Sequence, residues 1–207
     1  MKKFIIALLL VFCFTSFSFA EENVQEIDKT KELLVKIYES SVGIFSVGST
    51  GVGFCSGVVL KNTNKYAYIL TAKHCVGPYE ETYVNNSKVE KILVSTDDDL
   101  ALLITAEPIE DKKETVLASR NAKWLEYVYH IGFPRAELYM QIGYTWIRAI
   151  DHQYFKMSVI SGCSGGGIFN ENGELVSILW GSLGENITVG EPISDVKRFL
   201  KEANIQF

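Results

Sequence analysis

Ten short runs of apolar, β-branched and aromatic residues follow one another between residues 42 and 180: 42–47, 52–60, 66–71, 88–95, 99–104, 126–131, 139–150, 153–160, 166–169 and 174–180. Gly, Asn and Asp cluster between them, and Asn170-Glu171-Asn172-Gly173 has the composition of a tight hairpin turn. Strands this short and this closely spaced, without intervening helical patterns, predict an all-β barrel or sandwich pair. The polar stretch 105–123, rich in Glu and Lys, divides the β region into halves of about 40–105 and 124–193. Helical periodicity flanks it on both sides. Val24, Ile27, Leu34, Ile37 and Tyr38 outline a short N-terminal amphipathic helix. Val196, Phe199, Leu200 and Ala203 outline a C-terminal one over about 194–204, with Ser194 as its expected N-cap and Asp195 in its first turn. At 47% hydrophobic residues in 207, the chain can bury a sizeable core.

The first twenty residues read as an export signal. Lys2 and Lys3 form a basic head, Phe4 to Phe14 an apolar run, and Ser18 and Ala20 the small residues that a signal peptidase accommodates. The run is short for a membrane span, and no later stretch is long and apolar enough to serve as one. Removal of this segment would leave residues 21–207 exported, to the periplasm or the extracellular space. Without Lys2 and Lys3, 18 basic residues face 25 acidic ones, near −7. With no basic stripe in the sequence, that charge disfavours nucleic acid as a partner.

Export also decides how the cysteines are read. Cys13 leaves with the signal, so Cys55, Cys75 and Cys163 remain, and an oxidising compartment favours one bridge and one odd thiol. Cys55 and Cys75, on neighbouring strand-like segments, are the natural pair. His74 beside Cys75 keeps a zinc site open as a rival, although the paired C-x-x-C spacing that gathers four ligands is missing. No metal and no cofactor is expected.

The Gly162-Cys163-Ser164-Gly165-Gly166-Gly167 loop has the makings of a nucleophile site. Glycines let successive N–H groups point into one hollow with the Ser side chain at its rim. A serine needs an imidazole to take its proton and a carboxylate to orient that imidazole. The loop also satisfies G-x-S-x-G, the elbow of the α/β-hydrolases, but in those chains the His follows the Ser. Here His74, His130 and His152 all precede Ser164. Tyr68-Ile69-Leu70-Thr71-Ala72-Lys73-His74-Cys75 would set an imidazole at a strand end. In Asp97-Asp98-Asp99-Leu100-Ala101-Leu102-Leu103, Asp99 leads directly into a buried-looking strand, with Asp97 or Asp98 as alternatives if the register slips.

T-A-x-H-C, then D-L-A-L-L, then G-x-S-G-G, in the order His, Asp, Ser, resembles the trypsin/chymotrypsin family of serine endopeptidases. Phe54-Cys55-Ser56-Gly57-Val58-Val59-Leu60 resembles the strand that carries the family's partner cysteine, which supports a Cys55–Cys75 bridge. Ser41-Val42-Gly43-Ile44-Phe45, Tyr129-His130-Ile131-Gly132-Phe133-Pro134 and Pro192-Ile193-Ser194-Asp195-Val196 are similar to the bacterial branch that includes the HtrA proteases. The resemblance covers about residue 42 to the C-terminus. It implies two six-stranded antiparallel β-barrels of the chymotrypsin type with the active site in the cleft between them.

By that resemblance Ser164 is the nucleophile, His74 the general base and then acid, and Asp99 the orienting carboxylate. The N–H groups of Gly162 and Ser164 would form the oxyanion hole. Cys163 is the alternative nucleophile, disfavoured because the glycine spacing fits Ser164. The pocket floor falls at Ser158, Leu179 and Gly181 belong to the segment that pairs with substrate backbone, and an uncharged floor implies a small or medium apolar residue before the cut bond. The residue before the nucleophile is Cys163 rather than Asp, and no Ile-Val-Gly-Gly lies near the mature start, so activation by a new N-terminus is not expected. No PDZ domain is expected after the C-terminal helix, and a monomer acting on polypeptide substrates, under a protein inhibitor or regulator, is expected. A protease-shaped binding protein or a latent enzyme is the rival reading.

Overall fold

A computed structural model describes residues 27–49, 51–77, 79–148 and 152–205. The export signal lies outside the described residues, as do residues 24–26 of the expected N-terminal helix. The chain divides into two compact units, residues 1–35 and 36–207. Helix α1 runs over 27–40. At its end, the hydroxyls of Ser40 and Ser41 both donate to the Ile37 carbonyl oxygen, which satisfies a terminal acceptor and turns the chain into the first strand. No helix among the described residues is long and apolar enough to cross a membrane.

The second unit holds two antiparallel β-barrels. Strands β1 (Ser41–Gly48), β2 (Gly51–Asn62), β3 (Ala67–Ala72), β4 (Glu81–Val84), β5 (Ser87–Val94) and β6 (Leu100–Thr105) close in the order β1-β2-β3-β6-β5-β4. Their inward residues, Val42, Ile44, Val59, Ile69, Val84 and Leu103, form the first core. Each such aliphatic side chain contributes about 1.5–3 kcal/mol by leaving water. The 105–123 connection is largely exposed but anchored at a few points. Ile109 lies in the first core, and the Asn62 side chain donates to the carbonyls of Ile109 and Lys112 and accepts from the Ile109 N–H. The two-residue strand β7 (Val116–Leu117) within it pairs in parallel with Glu174 and Leu175.

Strands β8 (Tyr127–Gly132), β9 (Tyr139–Arg148), β10 (Gln153–Lys156), β11 (Gly167–Phe169), β12 (Glu174–Ser182) and β13 (Thr188–Pro192) form the second sheet, in the order β11-β8-β9-β10-β13-β12, and a β11–β12 pairing closes it into a barrel. Val128, Phe155, Ile168 and Val176 fill it together with Cys163. Helix α2 (Ile193–Glu202) buries Val196, Phe199 and Leu200. Its N-cap differs from the expected one: Pro192 holds that position, and Ser194 lies inside the helix. The Ser194 N–H is instead satisfied by Asn121 Oδ1 at 3.0 Å, from the inter-barrel connection.

Candidate active site

Strand register brings the first two functional side chains together. In the β3–β6 pair Ala72 lies opposite Leu100, so the residues just beyond the two strand ends meet. Past Ala72 the chain enters a 3-10 turn, Lys73–Val76, and the Lys73 N–H donates to the Asp99 carbonyl at 3.1 Å. The Asp99 carboxylate then takes two bonds from one residue. Oδ1 accepts the His74 backbone N–H at 2.9 Å, and Oδ2 lies 2.6 Å from His74 Nδ1. A carboxylate only accepts, so Nδ1 carries the proton and Nε2 of a neutral imidazole keeps its lone pair. Asp99 is 17% exposed and His74 45%, so the carboxylate is shielded and the imidazole accessible. Asp98 is engaged elsewhere, by Arg198 at 2.6 Å and by the Ser95 hydroxyl.

Cys55 on β2 and Cys75 in the 3-10 turn form a disulfide with Cα atoms 6.0 Å apart. It ties the turn that carries His74 to the neighbouring strand. Both sulfurs are consumed by it, so the Cys55–His74–Cys75 group offers no thiolate pair to a zinc ion.

Backbone directions shape the loop of Ser164. Gly165 has φ +80°, and a side chain there would sit 2.0 Å from Thr71 Oγ1 and 2.4 Å from the Ser56 carbonyl oxygen. Only glycine fits. The Cys163 carbonyl accepts the Gly166 N–H at 3.0 Å, and in a trans peptide the following N–H, that of Ser164, faces the opposite way. Gly162 has φ +101°. Among the described residues neither the Gly162 nor the Ser164 N–H meets an acceptor, whereas the Cys163 N–H is used by the Ile160 carbonyl at 3.1 Å. Ser164 Oγ donates to the Trp180 carbonyl at 3.4 Å, a long bond that is easily exchanged. The Cys163 thiol is fully buried and points into the second core, and burial pushes its pKa up. It is an inert core residue.

Residues 55–178, which span Cys55, His74, Asp99 and Ser164, match the trypsin-like peptidase domain family. The chain belongs to that family. This peptidase shares its fold with solved proteases at low identity. The Rv3671c protease from M. tuberculosis in its inactive form is 17% identical, with a TM-score of 0.70 over 83% of this chain and 92% of that one. Its active form is 19% identical, with a TM-score of 0.69 over 84% and 85%. A serine endoprotease from Yersinia pestis is 22% identical, with a TM-score of 0.70 over 82% of this chain and 65% of that one. A search of curated sequences finds no match. Family and fold make the chain a serine endopeptidase, a hydrolase of polypeptides.

Two further histidines of the peptidase, neither in a partnered motif, pack close to the site. His130, wholly buried, lies 2.9 Å through Nδ1 from the Gly167 carbonyl, and a side chain on Gly166 would strike its ring at 2.7 Å. Desolvation lowers its pKa to about 4, so it is a neutral prop under the nucleophile loop. His152 stacks on Trp180 with ring centroids 5.4 Å apart and approaches Glu191 at 3.6 Å. Glu191 is 2% exposed, and its Oε1 accepts the Asp99 N–H at 3.2 Å. Burial raises its pKa, while the Asp99 N–H and His152 pull it down.

The expected specificity residues fare differently from one another. Leu179 is buried, its N–H donates to the Gly166 carbonyl and its carbonyl accepts the Gly165 N–H, so it presents no free backbone group to a substrate. The register of β12 on β13 shifts between Leu179 and Gly181, which leaves the Trp180 carbonyl beside Ser164. Gly181 borders open space. The Ser158 hydroxyl bonds Asn186 Oδ1, and its carbonyl accepts the Tyr139 hydroxyl at 3.2 Å. A cavity of about 740 Å³ is lined by His74, Gly162 and Ser164 together with Phe54, Tyr79 and Ile160.

Proposed function

We propose that this peptidase is an exported serine endopeptidase whose catalytic triad is Ser164, His74 and Asp99. The observation that carries the reading is the two-bond grip of Asp99 on His74, which leaves Nε2 to accept a proton in a cavity that His74 and Ser164 line together. Rotation of the half-buried Ser164 side chain away from Trp180 brings Oγ toward Nε2. Oγ then attacks the carbonyl carbon of the substrate while its proton passes to Nε2. The oxyanion is received by the Gly162 and Ser164 N–H groups. Loss of one such donor typically costs about 2.7–4 kcal/mol of barrier. The imidazolium is stabilised by Asp99, returns the proton to the leaving amine, and activates water in the same way to release the acyl group. Ser158, bonded to Asn186 and uncharged, supports a small or medium apolar residue before the cut bond, with Gly181 as an open wall.

Treatment of the mature protein with a fluorophosphonate probe, followed by mass spectrometry of the adduct, tests the assignment. The expected result is labelling at Ser164 that vanishes in His74→Ala. A folded protein that stays unlabelled would be a latent enzyme or a binding module instead.

A further inference from the structure

We infer that Ser56 is a positioning residue that latches the nucleophile loop from the opposite barrel, an inference that rests on the proposed role of Ser164. Ser56 lies on β2, is fully buried, and uses every polar group it has. Its hydroxyl donates to the Gly162 carbonyl at 2.8 Å and accepts the Phe133 N–H at 2.8 Å. Its own N–H donates to the Ser164 carbonyl at 2.8 Å, and its carbonyl accepts the Thr71 hydroxyl at 2.7 Å. The first barrel therefore grips the loop on both sides of Cys163, once through a side chain and once through the main chain.

The side-chain grip matters because of what it holds. Gly162 at φ +101° is the most freely rotating kind of residue in the chain, and its N–H is one of the two proposed oxyanion donors. Cys163, the next residue, offers no charge with which to tie the loop down. The loop's own bonds, Gly166 N–H to the Cys163 carbonyl and Cys163 N–H to the Ile160 carbonyl, hold the peptides on either side of Cys163 from within, but they leave the Gly162 carbonyl oxygen, on the same peptide as the Cys163 N–H, to a partner from the other barrel. The Ser56 hydroxyl is the second anchor of that peptide: the 162–163 plane is held at its N–H by Ile160 and at its carbonyl by Ser56, and the Gly162 N–H is set against this fixed plane. Phe133 N–H in turn orients the hydroxyl, so the proton of Ser56 is committed to Gly162. The space is full as well: a side chain on Gly132 would come within 3.1 Å of Ser56 Oγ.

A latch for the oxyanion hole predicts a loss in the transition state and not in substrate binding. In folded Ser56→Ala, kcat on a peptide ester should fall tenfold or more while KM moves less than twofold. Affinity for a peptide boronic acid should fall by the same factor as kcat/KM. Thr105→Val is the control for stability alone. The buried Thr105 hydroxyl also donates to a carbonyl, that of Glu107, and accepts a backbone N–H, that of Ala67, but far from the loop. It should lower the melting temperature and keep kcat within twofold. Unchanged kcat in folded Ser56→Ala overturns the latch, and so does an equal loss of kcat in Thr105→Val. Should Ser56→Ala not hold its fold, Ser56→Cys, close in volume and a poor donor, takes its place with the same two outcomes. A wild type unlabelled by fluorophosphonate fails the serine-nucleophile reading itself, whereas a labelled wild type with undiminished Ser56→Ala fails the latch alone.

Discussion

The two barrels equip the cleft in opposite ways. Barrel one brings side chains: His74 and Asp99 stand just past paired strand ends, bonded to each other, with a disulfide behind them. Barrel two brings backbone: the Ser164 loop works through the directions of its N–H groups, set by glycines and by bonds to Ile160, Gly166 and Leu179. The first half can therefore be broken by deleting one functional group. The second is broken by anything that lets a peptide turn.

The largest expected effect is on the proposed nucleophile of barrel two. Ser164→Ala should lower kcat on the order of 10⁶-fold, as removal of the nucleophile does in a coupled triad, with the melting temperature unchanged. Next comes Asp99→Asn. The introduced amide can still accept the His74 N–H, but its NH₂ faces Nδ1 and turns the imidazole into the wrong tautomer. A fall in kcat of about 10⁴-fold is expected without loss of fold. Active-site titration alongside circular dichroism checks both. An Asp99→Asn enzyme that keeps a tenth of its turnover would mean that barrel one supplies shape rather than charge.

The same asymmetry governs how much of the molecule could be read in the sequence. Barrel one's chemistry was legible because it rests on residue types at strand ends: T-A-x-H-C and D-L-A-L-L name the turn and the carboxylate, and the structure brings His74 to Asp99. Strands β4 and β13 were illegible for a physical reason. Glu81-Thr82-Tyr83-Val84 and Thr188-Val189-Gly190-Glu191-Pro192 lack an apolar alternation, yet all five residues of β13 are buried. Glu191 is tolerated inside because the Asp99 N–H and His152 meet it there, and such partners cannot be seen along the chain. The cap of α2 was misread for a similar reason, since its acceptor, Asn121, is 73 residues away from Ser194.

The disulfide sharpens the comparison from the stability side. It belongs wholly to barrel one and closes a sequence separation of 20 residues, worth about 3 kcal/mol in the chain-entropy model. Replacing Cys55 and Cys75 together by Ala should lower the unfolding free energy by about that amount and shift the urea midpoint. Ser164 in the surviving folded fraction should still react with fluorophosphonate, because the hydrogen bonds of its loop run to Ser56, Ile160, Gly166 and Leu179, and at a reduced rate, because Cys75 Sγ lies 3.5 Å from the Ser164 carbonyl and Ser56 adjoins Cys55. An unchanged midpoint would remove the bridge from the account.

Acid should act on the opposite half and through two buried groups of opposite sign. His130, under the nucleophile loop, has its pKa lowered to about 4 by burial. Above pH 6.5 it is neutral in both folded and unfolded chains and costs nothing. As pH falls from about 6.5 to about 4 the unfolded chain takes up a proton that the folded chain refuses, so stability is lost by about 3 kcal/mol in all, and about 2 kcal/mol of it by pH 5. Glu191 works the other way: its raised pKa means that stability is lost as pH climbs from the ordinary carboxyl range and regained in acid. The wild type therefore shows the difference of the two. Urea unfolding at pH 7 and pH 5 separates them. In His130→Gln the acid loss should shrink or reverse, and in Glu191→Gln it should steepen toward the full His130 contribution. Equal acid loss in the wild type and His130→Gln would show that the prop beneath barrel two's backbone is not what titrates.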